Sequence, residues 1–406
     1  MWLQLRFANP MTPIPRLKPH QKAALFSYGF RPFFFFGACD AALAIAVWLP
    51  LFEGEIALPT LLASRDWHIH EMLFGYVPAI ITGFLLTAIP NWTGRLPLQG
   101  TPLAILVIAW GAGRGAVAIS AKVGWLAAAV IDVGFLALVV AAAAREIIAG
   151  QNWRNLKVLI PVMVLAAANV DFHFEAHAFG AAEFAIRVGV AATLILLMLI
   201  GGRVIPSFTR NWLARENPGR LPLPFGKFDA AAIAISTAAL CMWVIAPDGI
   251  VPGTGLLLAA ILQVFRLARW AGERTAREPL ILILHVAYAF VPLGFLLTSM
   301  AAFGMVPPSS GLHAWMTGAV GTMTLAVMTR ASLGHTGHQL VAGAGTQAIY
   351  AAVVLAALSR VVAGLFAGAT ILLIHIAAFA WIAAFGGFAV LYGPVLFRPR
   401  REATTM

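Results

Sequence analysis

Long apolar runs alternate with short polar segments along the whole chain. About 12 of these runs are long enough to cross a bilayer as helices, since the hydrocarbon core takes about 20 apolar residues. The runs cover residues 30–51, 68–90, 101–120, 123–144, 156–178, 183–206, 228–247, 252–271, 279–303, 311–332, 343–364 and 369–396. The pattern predicts an all-α fold, a polytopic membrane helix bundle in which residues 1–406 form a single integral membrane domain.

The composition also indicates a membrane protein. Hydrophobic residues make up 61% of the 406 residues and charged residues only 11%, and the mean hydropathy is +0.88. A soluble protein is nearer half apolar and a quarter charged. The two cysteines, Cys39 and Cys241, both lie in apolar runs. This placement favours neither a disulfide framework nor a cysteine zinc site.

The positive charge of the chain follows membrane topology. A formal net charge of +11 would suit a nucleic-acid partner, but most of the 27 lysine and arginine residues fall on one side of the predicted bundle. We therefore expect membrane lipid, and no nucleic acid, around the chain. Because the basic side is usually cytoplasmic, we expect both termini in the cytoplasm. Residues 1–25 and 397–406 would be cytoplasmic tails, and residues 207–227 a cytoplasmic loop.

Two segments of the chain resemble each other in register. His70 precedes Thr93-Gly94 at the same spacing as His313 precedes Thr336-Gly337. Further pairs in this register are Gly75 with Gly318 and Gly100 with Gly343. The third and eleventh runs, which follow these segments, each carry an arginine, Arg114 and Arg360. The repeat predicts that His70 and His313 lie at the same depth in the membrane.

Weaker matches extend this repeat to neighbouring runs. Tyr28-x-Phe30-x-Pro32 in the first run resembles Tyr288-x-Phe290-x-Pro292 in the ninth. Ile89-Pro90 near the end of the second run resembles Ile205-Pro206 at the end of the sixth. Offsets of eight and four helices together suggest three quasi-repeated four-helix arcs.

Histidines concentrate on the less basic side of the predicted bundle. They are His68, His70, His173, His177, His313 and His375. Ionisable groups at membrane depth are costly and usually functional, and imidazole is a good ligand for haem iron and copper. The repeat suggests that His70 and His313 bind one haem iron from opposite sides, with Gly75 and Gly318 helping to open a slot between them.

Arginines near the same depth would suit a haem. Arg114 and Arg360 could bind its propionates, because guanidinium pairs with carboxylates in a bidentate fork. A competing interpretation pairs Arg114 with Asp40 or Asp132 in a structural ion pair inside the membrane. The sequence leaves both interpretations open.

The remaining histidines on this side could hold a second metal. His173 and His177 lie one helical turn apart and share a face, and with His68 and His375 they form a candidate copper site. The carboxylate of Glu71 could orient a neighbouring imidazole through its other nitrogen. Each histidine taken alone could equally be an interfacial residue that bonds water or a carbonyl.

Several motifs resemble the NnrS family, haem- and copper-containing membrane proteins linked to nitric oxide metabolism. The motifs are Phe30-Arg31-Pro32-Phe33-Phe34, His68-x-His70-Glu71-Met72, the run from Gly83 to Gly94, and the segment from Met323 to Gly337. The likeness covers essentially the whole chain. It implies a bacterial inner-membrane protein with haem b and copper, involved in resistance to nitrosative stress.

The predicted arcs resemble a second family by architecture only. Haem–copper oxidase catalytic subunits and nitric oxide reductases arrange their helices in three arcs, with haem ligands on the second and tenth helices. His70 and His313 fall on the second and tenth runs. Fold-level likeness does not establish function, and the seventh run carries no histidine pair.

Two classes of function are compatible with these features. The first is a haem- and copper-binding inner-membrane protein that binds nitric oxide, with an electron donor that the sequence does not identify. Redox or nitric oxide-reducing activity stays open for it, as does a protective role without catalysis. The alternative is a membrane transporter of a metal or a metal–nitrosyl species.

Overall fold

A computed structural model describes residues 23–401 of the chain. In this part of the chain the secondary structure is helical, without strands. We number the long helices α1 (Phe30–Glu53), α2 (Ser64–Thr93), α3 (Thr101–Ala118), α4 (Trp125–Ala149), α5 (Leu159–Phe179), α6 (Glu183–Glu216), α7 (Lys227–Ile245), α8 (Ile250–Ala268), α9 (Pro279–Ala302), α10 (308–335), α11 (Ala344–Leu365) and α12 (Thr370–Phe397). Short helical turns cover Ala24–Ser27, Ser120–Val123, Trp153–Leu156, Gly272–Thr275 and Ala367–Ala369. The predicted N-terminal tail lies almost wholly outside the described residues.

The polytopic membrane bundle predicted from the sequence is confirmed. Within residues 23–401, 11 helices are long and apolar enough to cross a membrane. The predicted tenth span forms the continuous helix α10 but is not among them, because serine, threonine and glycine lower its hydropathy. Large apolar side chains also face outward, including Leu43, Ile108 and Val390, which are 63%, 69% and 74% exposed. Such side chains suit a lipid environment.

The helices pack in a closed succession. α1 packs against both α2 and α12, and each later helix from α4 onward packs against its neighbour in the chain. α3 lies outside α2, against α4. Arg31 at the start of α1 is buried and donates hydrogen bonds to the Leu396 and Arg398 carbonyls, at 2.7 and 2.6 Å. Trp381 of α12 donates to the Ala41 carbonyl at 2.9 Å. The division into three arcs stays a prediction.

The helix ends define two opposite faces of the bundle. We call the end that contains the start of α2 and the end of α5 the histidine face, because His68 and His177 lie there. We call the opposite end the basic face. Hydrogen bonds between loops stabilise both, for example Ala121 N to Pro59 O at 3.0 Å on the histidine face. On the basic face Arg401 N donates to Thr336 O at 3.0 Å.

The two repeated segments share a local distortion. Directly after His70, α2 widens into a π-helical stretch, Glu71–Tyr76. Directly after His313, α10 does the same at Ala314–Gly321. Such wide turns are rare and often mark functional sites. The hydroxyls of Tyr76 and Thr324 form a hydrogen bond between the two helices. The repeat is therefore a structural repeat at these positions.

Two sequence predictions differ from the structure. Residues 207–216 of the predicted 207–227 loop are helical, because α6 continues through Pro206 to Glu216. The turn beyond the proline is stabilised by Thr209, which donates to the Ile205 carbonyl, and by the burial of Leu213. The Tyr-x-Phe-x-Pro match is also not equivalent in position: Pro32 lies in the first turn of α1, whereas Pro292 lies in the middle of α9.

Candidate functional site

A cluster of two histidines and one aspartate lies inside the bundle near the histidine face. His70 of α2, Asp132 of α4 and His173 of α5 are all buried, and one ligand atom of each lies within 4.8 Å of the other two. His173 Nε2 lies 3.1 Å from Asp132 Oδ2, and His70 Nε2 lies 3.2 Å from the same oxygen. We call these three residues the His–Asp–His cluster.

The imidazole of His70 is oriented by its neighbour Glu71. His70 Nδ1 lies 3.3 Å from Glu71 Oε1, and a carboxylate can only accept, so Nδ1 carries the proton. Nε2 is fully buried and lies 3.2 Å from Asp132 Oδ2. Either a proton on Nε2 or a metal cation bound by both atoms satisfies this contact between an imidazole and a carboxylate. Glu71 thus fulfils the orienting role predicted for it.

Arg114 connects the two carboxylates of this region. It donates from Nη1 to Glu71 Oε2 at 3.0 Å, and it forms an ion pair with Asp132 Oδ1. Asn169 donates to the other oxygen of Asp132 at 2.8 Å. Of the two interpretations left open for Arg114, the structure therefore has the ion pair. With both carboxylates ionised, Arg114 supplies one positive charge, and a second is supplied by a proton on His70 or by a bound cation.

Gly75 makes room for this arginine. A Cβ at Gly75 would lie 2.3 Å from Arg114 Nη1, and the Gly75 carbonyl accepts a hydrogen bond from Trp110 at 3.0 Å. At the matched position, a Cβ on Gly318 would lie 2.4 Å from the Phe290 ring. The prediction that these glycines open a cofactor slot is wrong, because side chains of the protein already fill both spaces.

A cavity of about 500 Å³ lies on the other side of α2. Its size falls in the range of cofactor and drug-sized ligand sites. Its polar lining includes His68, His313, Arg65 and Arg360, and most of the rest is apolar, for example Trp48, Met72, Tyr76, Met316 and Trp381. We call it the large cavity. It combines imidazoles and cations with apolar walls.

Both imidazoles of the large cavity have a fixed environment. His313 Nδ1 donates to the Ser309 carbonyl at 2.7 Å, which leaves Nε2 as the nitrogen with a lone pair. His68 stacks on the Trp48 ring with 4.3 Å between ring centroids. Its Nδ1 is buried and has no hydrogen-bond partner. Each ring therefore keeps a nitrogen that is available to a ligand.

The cations of the large cavity also have defined positions. Arg360 Cζ lies 5.9 Å from the centroid of the Trp48 ring. Arg65, which is more exposed, pairs with Asp66 at 3.0 Å and with Glu183. Arg360 thus lines the cavity, where the sequence predicted a cation for an acidic ligand group. Arg114, the other arginine predicted for this role, is not among the described residues that line it.

The predicted site residues fall into separate groups. His70 and His313, which the repeat paired, are not brought together: His70 belongs to the His–Asp–His cluster and His313 lines the large cavity. His177 lines a smaller cavity with His173. His375 pairs with Glu53 at 2.9 Å, and its Nδ1 donates to the Ile371 carbonyl. The four histidines predicted to bind copper therefore do not share one site.

Asp132 and Asn169 have roles in this site that the sequence did not predict. Asp132 was expected as a possible ion-pair partner of Arg114 or as a proton carrier, yet its Oδ2 also lies within 3.2 Å of both imidazoles. Asn169 is one turn before His173 on α5, so the two share a helix face. Two sequence features together would have indicated this cluster. One is the single carboxylate in the apolar run of α4, and the other is the Asn-x-x-x-His pattern that puts both side chains on one face of α5.

Comparison with known proteins shows the family of the chain. The model of the NnrS protein family matches residues 24–400. The chain belongs to the NnrS family. A search of curated proteins finds no match. Membership of the NnrS family and the many apolar helices fit a multi-pass membrane protein of nitric oxide metabolism.

Proposed function

We propose that this chain is a haem- and copper-binding protein of the bacterial inner membrane that binds nitric oxide in resistance to nitrosative stress. The basic face would be cytoplasmic, as the distribution of lysine and arginine predicts. The family and the two separate groups of metal-ligating side chains support this proposal.

The His–Asp–His cluster would hold copper. Imidazole and carboxylate suit divalent first-row metals, and copper binds such donors most tightly in that series. Two carboxylates share a single arginine, and His70 Nε2 lies 3.2 Å from Asp132 Oδ2. A metal cation would satisfy this arrangement in place of a proton on the ring. Three protein ligands leave a coordination position for a small ligand such as nitric oxide. Glu71 holds the His70 ring from its other nitrogen, and Arg114 and Asn169 hold Asp132.

The large cavity would hold haem b, with His68 and His313 as axial ligands. This differs from the pairing predicted from the repeat, in which His70 took the place of His68. Arg360 and Arg65 would bind the propionates, and the aromatic walls would cover the apolar faces of the ring. The Nδ1 of His68 is buried and has no hydrogen-bond partner, and binding to the haem iron would satisfy it.

The adjacency of the two sites carries the proposal. α2 contributes His68 to one and His70 to the other, with Ile69 between them. Haem and copper together supply electron transfer and nitric oxide binding. A haem with both axial positions filled by histidine would transfer electrons or sense, so nitric oxide would bind at the cluster.

Metal content and spectra of purified protein test the proposal. We expect low-spin haem and one copper per chain, loss of the low-spin signal in His313→Ala, and loss of copper but not haem in Asp132→Asn. His375→Ala is the matched control on the same face and should keep both. Haem that survives His313→Ala and His68→Ala unchanged would disprove the cavity assignment. Copper that is released across the membrane in proteoliposomes would favour the transporter alternative.

A further inference from the structure

A second cavity connects the His–Asp–His cluster with the histidine face. Its volume is about 210 Å³, and it is lined by Leu61, Leu62, Val117, Ser120, Trp125, Ala128, His173, Ala176 and His177. We call it the vestibule. Its lining comes from the loop before α2, the segment after α3, the start of α4 and the end of α5. The vestibule therefore opens where these helices end.

Two histidines occupy different levels of the vestibule. His173 is buried and belongs to the His–Asp–His cluster, whereas His177, one turn further along α5, is exposed. The His177 ring stacks on Trp125 with 4.3 Å between centroids and 14° between planes. Stacking restricts the rotation of the ring, and the i, i+4 spacing puts both imidazoles on one helix face.

This arrangement suits the passage of a metal ion. A bare cation is not stable in an apolar channel. A cation that crosses one must therefore pass from one ligand group directly to the next. The vestibule has an exposed imidazole at its mouth and a buried imidazole at its floor. Beyond it, the Asp132 carboxylate lies 3.1 Å from His173 Nε2 and offers the cation a negatively charged donor. An apolar ligand such as nitric oxide would need none of these features, because it can enter from the bilayer.

We infer that the copper ion enters from the histidine face through the vestibule, bound first by His177 and then transferred to His173 and the buried cluster. This inference rests on the proposed copper site and adds an uptake residue to it. His177 is an uptake ligand in this scheme and is not part of the final coordination. No redox change is involved, since one imidazole ligand replaces another at the same ion.

The large cavity offers a poorer route to the cluster. It lies on the opposite side of α2, and its lining contains none of the three cluster residues within the described part of the chain. Ile69 and Leu73 of α2 line that side. A copper ion that entered there would have to pass an apolar helix surface.

The rate of copper uptake tests the inference. Copper-free protein, purified with its haem in detergent, is mixed with Cu(II) buffered by nitrilotriacetate. At set times the protein is separated from the buffer by desalting, and its copper is measured by elemental analysis. We expect His177→Ala to take up copper several-fold more slowly than the wild type, with the same final content by elemental analysis. His375→Ala is the control and should match the wild-type rate, because His375 lies on the same face outside the vestibule.

Two further variants separate a ligand role from a structural one. His177→Asp keeps a donor that Cu(II) accepts, as Asp132 is proposed to be in the cluster, so it should restore most of the rate. Ala176→Trp narrows the vestibule and should slow uptake with His177 intact. Uptake by His177→Ala at the wild-type rate, or by His177→Asp as slowly as by His177→Ala, would overturn the inference. Wild-type protein that takes up no copper would instead overturn the proposed copper site.

Discussion

His68 and His70 are separated by one residue on the same helix, yet they belong to different sites. His68 lines the large cavity, and His70 is part of the His–Asp–His cluster. Successive residues of an α-helix are about 100° apart, so two positions turn the side chain to nearly the opposite side. The two sites therefore lie on opposite sides of the same turn of α2, directly before the π-helical stretch.

Substitution of these two histidines should remove different cofactors. We expect His68→Ala to lose haem and keep copper, because its ring lines only the cavity. His70→Ala should lose copper and keep haem, because His70 belongs to the cluster and does not line the large cavity. Haem content by absorbance and copper by elemental analysis on the same preparations measure both. Loss of both cofactors in each variant would argue against separate sites.

Removal of Arg114 should destabilise the protein strongly. Arg114→Ala leaves the buried carboxylates of Glu71 and Asp132 without their cation, and breaking a buried ion pair typically costs about 3–5 kcal/mol of unfolding free energy. Arg95→Ala is the matched control, since Arg95 pairs with Glu146 at 2.7 Å but is 40% exposed. We expect it to cost about 0–1 kcal/mol. Thermal denaturation in detergent measures the difference, and equal effects would contradict the prediction.

Gly75→Ala should disturb the same ion pair from the opposite helix. The added methyl group would meet Arg114, and overpacking of this kind costs about 1–3 kcal/mol. Copper affinity should fall as well, because Arg114 orients both carboxylates near the cluster.

Gly115→Ala is the control for this substitution. Gly115 lies one residue after Arg114, and a Cβ there would meet no heavy atom within 4 Å. We expect it to be neutral or to stabilise by up to about 1 kcal/mol. Copper titration of both variants checks the result, and unchanged copper binding in Gly75→Ala would show that Arg114 is not needed for orientation.

Copper should stabilise the folded chain through Asp132. A ligand that binds only the native state at about 100 times its dissociation constant adds about 2.7 kcal/mol. Wild-type protein should therefore melt at a higher temperature with copper than without it. Asp132→Asn should show little or no shift, whereas Asp66→Asn, which also removes a buried carboxylate of this face, should shift as the wild type does. An equal shift in Asp132→Asn would place the metal elsewhere.

The sequence predicted the fold well because bilayer thickness sets a strong length signal. Apolar runs located the long helices, and the register between His70 and His313 aligned two segments that share a π-helical stretch, although the sequence did not predict that stretch. The extent of α6 was missed, because a proline near the expected end of a run looks the same whether the helix stops or continues. Burial of Leu213 decided this case.

The partners within the site were harder to predict. Equal depth does not imply contact, so the repeat could align His70 with His313 without showing that α2 turns them to different sides. The pairing of Arg114 with Asp132 was available as one of two alternatives, but only the packing of α3 on α4 decides between them. Which residues meet across helices depends on rotation about each helix axis, and spacing along one helix does not specify that rotation.

The contact between Arg31 and the end of α12 has a consequence for biosynthesis. α1 is synthesised before α12, but the carbonyls that its arginine binds belong to Leu396 and Arg398. Until α12 has been inserted, Arg31 lacks these acceptors, and the side of α1 that α12 covers stays open. α1 thus reaches its final environment only when α12 is in place, and chains truncated before α12 should be substrates for membrane proteases.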